Sequence, residues 1–146
     1  MSALARSLLA RGTRPLHPIH ALLLAFVFPS LLGTWFSDLA YGASYEVQWS
    51  NFAAWLIIGA LVGGGFALLW ALIDMIRDRT RRTARHAIYA TLLAVTWAVA
   101  FIDELVHSQD AGAIMPEAPW LSFFAALLAL VASWIGFSGL RAGDAS

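Results

Sequence analysis

The chain has 146 residues, of which 60% are hydrophobic and 12% charged, with nine basic and nine acidic side chains and no cysteine. A soluble domain carries about 25% charge, so this chain lacks the polar cover that a water-facing surface needs, while its 13% aromatic content excludes a solvated coil. Balanced charge argues against a nucleic-acid partner, the missing cysteine removes disulfides, thiolate metal sites and thiol nucleophiles, and a single-domain integral membrane protein is left.

An arginine-bearing tail, residues 1–15, precedes the first apolar run, Ile19 to Tyr41, which meets no charge before Asp38. A signal peptide also starts this way, but the run is too long for an h-region and no small-x-small cleavage site follows, so it is expected to be retained. His17 precedes Pro18 and should sit just outside the helix, with Pro18 in its first turn. Pro29 removes an N–H and clashes with the Ala25 carbonyl, so a kink is expected there. The second run, Phe52 to Ile73, has no charge. The third, Ala87 to His107, meets Asp103 and Glu104 near its far end, and the fourth, Trp120 to Leu140, is again uncharged. Each is close to the roughly 20 residues a span needs. All are helices, because lipid cannot satisfy a free backbone and no alternating strand pattern appears. The expected fold is all-α: an up-down-up-down four-helix membrane bundle over residues 16–141, with a short stub at 142–146.

Four crossings put all nine arginines (Arg6, Arg11, Arg14, Arg77, Arg79, Arg81, Arg82, Arg85 and Arg141) on one side, with Asp74, Asp78 and Asp144. The other side holds Asp38, Glu46, Asp103, Glu104, Asp110 and Glu117. The positive-inside rule then places both termini in the cytoplasm, and Trp35, Trp49 and Trp120 fit an aromatic belt on the outer side.

Gly59, Gly63, Ala67 and Ala71 recur every fourth residue in the second span, widened by Gly64 and Gly65. Such a row lets a neighbouring backbone approach closely, and tight helix packing is its favoured reading. Room for a flat cofactor or a lipid tail is the sharper one. Ala90, Ala94 and Ala98 form a similar row in the third span, and Ala125, Ala129 and Ser133 in the fourth. His20 and His86 open the first and third spans, Asp38 and Asp103 close them, and Trp55-Leu56 matches Trp120-Leu121. These offsets of 65 or 66 residues suggest two pseudo-repeated hairpins, with the first and third helices diagonal in the bundle.

Ionisable groups bordering a membrane are where chemistry is sought. At the arginine-rich side stand His17, His20, His86 and Asp74. Three imidazoles and a carboxylate suit a metal, and His20 with His86, or His17 as a rival to His20, suits the two axial positions of haem b. Arg14, Arg82 and Arg85 would then pair with propionates. The plainer reading, and the favoured one, pairs Asp74 with Arg77 or Arg85 and turns the histidines toward headgroups. On the other side Asp38, Asp103, Glu104 and His107 are read as a solvated helix end before a docking patch or cation site, because interfacial charges cost little.

The stretch Arg14-Pro15-Leu16-His17-Pro18-Ile19-His20-Ala21, running on to Phe28-Pro29, resembles the start of the bacterial membrane proteins grouped as domain of unknown function 2231. Those open with His-Pro, a second His and then Phe-Pro, and have four predicted helices. Their second helix is Gly-rich and ends in Asp, and a His opens the third. Here the matching residues are Gly59 to Gly65, Asp74 and His86, and the resemblance runs from Pro15 to Arg141. One departure is that the usual Val-His-Phe-Pro reads Phe26-Val27-Phe28-Pro29, with the second His displaced to His20. The family has no established activity. Some members are encoded beside periplasmic sugar dehydrogenases and cytochromes c, or fused to Rieske-like domains, which implies a redox neighbourhood.

No Gly-x-Ser-x-Gly elbow, phosphate loop or His-Glu-x-x-His is present, so no activity of its own is expected. The leading expectation is a bacterial inner-membrane accessory or anchor subunit of a redox system. Haem b is the cofactor such a subunit could carry, and a periplasmic dehydrogenase or a cytochrome c the partner it could serve. The alternative is a cofactor-free structural bundle that binds lipid or a partner membrane helix, and self-association into a homo-oligomer is compatible with either.

Overall fold

The computed structural model describes residues 17–77, 84–109 and 113–141, with side chains as far as residue 138. The expected tail at 1–15, the stub at 142–146 and the arginines Arg14 and Arg82 lie outside the described residues. Within them the chain forms four helices: α1 (Pro18–Ser44), α2 (Val47–Arg77), α3 (Ala84–His107) and α4 (Glu117–Arg141). All four are long and apolar enough to cross a membrane. They outrun the apolar stretches at several ends because a helix continues until something caps it, whereas a hydropathy window stops at the first polar group. At α1 the His17 side chain accepts from the Ile19 N–H, Pro18 occupies the first turn, and Tyr45 closes the helix in the left-handed region at φ 55° with its N–H on the Tyr41 carbonyl.

The helix α1 continues through Pro29 without a break. The hydroxyls of Ser30, Thr34 and Ser37 donate to the carbonyls of Phe26, Ser30 and Gly33, at 2.8, 3.1 and 2.7 Å. Each hydroxyl is thereby satisfied within its own helix, which hydrocarbon requires.

Neighbours around the bundle are α1 with α2, α2 with α3, α3 with α4 and α4 with α1, so α1 and α3 stand diagonally, as do α2 and α4. Each helix buries a seam with alternating spacings of three and four. In α1 it is His20, Leu24, Val27, Leu31, Thr34, Asp38 and Tyr41. In α3 it is Tyr89, Leu93, Thr96, Ala100, Asp103 and His107. The α2 seam is Ser50, Ala53, Ile57, Ala60, Gly64, Ala67 and Ala71, and that of α4 is Ala118, Ser122, Ala125, Ala129, Ala132 and Gly136. This is the heptad geometry of left-handed bundles. The α2 and α4 seams are mostly Ala, Gly and Ser, so the larger side chains of α1 and α3 fill the space between them.

The glycines of α2 make room for flat groups from within the chain. A Cβ on Gly59 or Gly63 would stand 3.3–3.4 Å from the Phe26 ring, and one on Gly65 would stand 3.3 Å from the Trp97 indole nitrogen. That indole donates to the Leu61 carbonyl at 3.0 Å and ties α3 to α2. The alanine row expected in α3 does not serve as a contact face: Ala90 is buried, but Ala94 and Ala98 face outward. The buried face of α3 follows Leu93, Thr96 and Ala100 instead, because the large residues of its seam are what meet the small residues of α2 and α4. Between Val27, Leu31, Gly64, Leu93 and Trp97 only a void of about 10 Å³ remains, at the lower limit for one water.

Candidate functional site

The bundle has a basic end, with Arg77 and Arg85, and an acidic end, with Asp38, Glu46, Asp103, Glu104 and Glu117. At each end a buried polar contact crosses the diagonal between α1 and α3, and both contacts join residues 69 apart.

At the acidic end Asp38, Asp103 and His107 converge. Asp38 and Asp103 are wholly buried and His107 nearly so. They lie on the α1 and α3 seams between the central core around Leu31 and Ala100 and a cap of Tyr41, Ile114 and Ala118. His107 Nε2 is 2.9 Å from Asp38 Oδ1, and Nδ1 is 2.9 Å from the Asp103 carbonyl oxygen and 3.4 Å from Asp103 Oδ1. Asp38 Oδ2 and both Asp103 carboxylate oxygens are buried without a hydrogen-bond partner. One ligand atom from each of the three residues falls within 4.8 Å of the others. The expectation of a solvated helix end is therefore overturned for these three. The seam rotates them inward, where burial makes unpaired charge costly. Glu104, next along α3, is half-buried.

At the basic end His20, also wholly buried within the seam, meets the Tyr89 hydroxyl at 2.7 Å from Nε2. Trp70 of α2 lies against His20 and against the capping residue His17, with ring centroids 6.2 and 4.8 Å apart. Tyr89, one turn beyond His86, thus reaches His20 across the bundle. His86 and Asp74 are half-buried at their helix ends. Arg85 donates to the Ile135 carbonyl and the Ser138 hydroxyl at 2.9 and 2.6 Å, fastening α3 to α4.

Tyr89, Trp70 and Gly136 were not singled out by the residue pattern. Tyr89 continues the Leu93, Thr96, Ala100, Asp103, His107 spacing, which only the rotation of α3 in the bundle marks as its buried face. Gly136 was not legible, since nothing local distinguishes it from Gly139.

The four apolar helices, their heptad seams and their inward polar groups define an integral membrane four-helix bundle. Residues 16–144 match the family described as a predicted membrane protein, domain of unknown function 2231, and the chain belongs to that family. No curated protein and no solved structure shows significant similarity to it.

Proposed function

We propose that the chain is a non-catalytic accessory bundle of the bacterial inner membrane. In this reading a rigid interior holds the helices in register, and the outer surface is offered to lipid and to a partner membrane helix. The observation that carries it is the pair of buried α1–α3 contacts, His20–Tyr89 and Asp38–His107. These spend the polar groups on internal cohesion, while large apolar residues such as Leu22, Phe36, Trp55, Phe66, Ile102 and Trp134 face outward. Such an exterior suits hydrocarbon and close helix neighbours.

A redox accessory carrying haem b is the rival. The basic end is a poor fit for that group: His20 Nε2, the atom an iron would take, is engaged by the Tyr89 hydroxyl at 2.7 Å, and that short contact between diagonal helices leaves no width for a porphyrin. An absorption spectrum of the purified chain, expressed with ample haem, tests the choice. The haem-free reading expects no Soret band. A band that vanishes in His20→Ala and persists in His107→Ala would replace it with the redox reading.

A further inference from the structure

His107 Nδ1 lies 2.9 Å from a backbone carbonyl, that of Asp103. A carbonyl only accepts, so Nδ1 carries the hydrogen. In the neutral ring Nε2 is then a bare lone pair, yet it faces a carboxylate oxygen of Asp38 at 2.9 Å. Two acceptors hold that distance only with a proton or a metal cation between them. A proton shared by ring and carboxyl supplies one, but it leaves the trio at a net charge of −1 in a buried interior unless Asp103 takes up a further proton. It also leaves Asp38 Oδ2 and Asp103 Oδ2 without partners. A divalent cation supplies the other. With a neutral imidazole and two carboxylates it makes an uncharged centre.

We propose that Asp38, Asp103 and His107 form a binding site for one divalent first-row metal ion, held by His107 Nε2 and a carboxylate oxygen from each aspartate. The Nε2–Oδ1 separation of 2.9 Å matches the edge of about 3 Å between cis ligands of an octahedral centre with bonds of roughly 2.1 Å, and is shorter than the roughly 3.4 Å edge of a tetrahedral one. The third ligand atom lies within 4.8 Å of the others; with Asp103 Oδ1 now 3.4 Å from Nδ1, its carboxylate must rotate toward Nε2 to join the ion. The Nδ1–H donated to a backbone carbonyl is the outer-shell bond that orients metal-ligating histidines. One nitrogen and two hard oxygens suit Zn²⁺ and Mn²⁺. Three protein ligands leave positions for water. The ion would clamp α1 to α3 at the acidic end.

The test uses the full chain without a tag, purified in detergent, stripped with EDTA and titrated separately with Zn²⁺ and Mn²⁺. Wild type is expected to take up one ion per chain and to melt at a higher temperature with it. Asp103→Asn and His107→Gln should each weaken uptake by at least about ten-fold, while His17→Gln should leave it unchanged. Should a variant fail to fold, pulsed electron paramagnetic resonance of Mn²⁺-loaded wild type and of His17→Gln reads the bound imidazole nitrogen directly. That nitrogen coupling is expected in both. Absence of stoichiometric uptake by wild type, uptake surviving in folded Asp103→Asn and His107→Gln, or a missing nitrogen coupling would each overturn the site.

Discussion

At the scale of single residues, the interior is shaped by where polar side chains find partners. His20 and Tyr89 are both buried and meet through one short hydrogen bond. Interhelical hydrogen bonds in membrane proteins are worth about 0.6 kcal/mol on average and about 1.7 at most. A double-mutant cycle of His20→Phe and Tyr89→Phe, read from unfolding in detergent, should give a favourable coupling in that range. Strict additivity would mean that the contact does not fasten α1 to α3. The residues of this pair were unequally legible. His20 stood out as an ionisable group at a membrane border, whereas Tyr89 belongs to a residue type common at such borders, and only the helix rotation shows that it turns inward.

At the scale of elements, small residues decide how closely helices pack. A Cβ on Gly136 would lie 2.5 Å from Leu24 Cδ2 and 3.2 Å from the Tyr89 ring. Gly136→Ala should therefore force the buried Leu24 side chain from its place against α4 and cost at most about 1–3 kcal/mol, the usual range for overpacking. Gly63→Leu, driven into Phe26 and Val27, should lower the folded yield in size-exclusion chromatography. Ala94→Leu is the control. It belongs to an alanine row that reads like a contact face, but it points outward, so its melting temperature should stay near wild type. Equal losses at Gly136 and Ala94 would show that the seams are misplaced. The α2 row was legible because four small residues at strict spacing in a span leave few other readings. The α3 row misled because Ala is equally at home facing lipid.

At the scale of the whole molecule, the arginine split bears on orientation. With all nine arginines on one side of four crossings, we propose that this side is the cytoplasm. Single cysteines at Ser44 and Ser108, both exposed at the acidic end, should react with an impermeant thiol reagent added to the periplasm. A cysteine at Thr80, which lies outside the described residues, should not. The native chain has no cysteine to confuse the readout, and labelling at Thr80 from the periplasm would reverse the assignment.

Much of this protein was determined by sequence alone: four spans, their helical state, the α1 start at His17-Pro18 and the separation of basic from acidic ends. Each of these follows from local quantities, since transfer of about 20 apolar residues into hydrocarbon and the backbone limits of proline depend little on distant parts of the chain. The pairing of side chains was decided only by tertiary structure. A helix residue turns about 100° from its neighbour, so whether Asp38, Asp103 and His107 meet water or each other depends on the rotation of α1 and α3. That rotation is set by how Leu24, Leu31 and Leu93 pack against the alanines and glycines of α2 and α4. The same packing puts Tyr89 opposite His20 and turns Ala94 toward lipid. It also brings Asp38 of α1 to Asp103 and His107, neighbours on one face of α3, in a buried interior where their charge must be balanced.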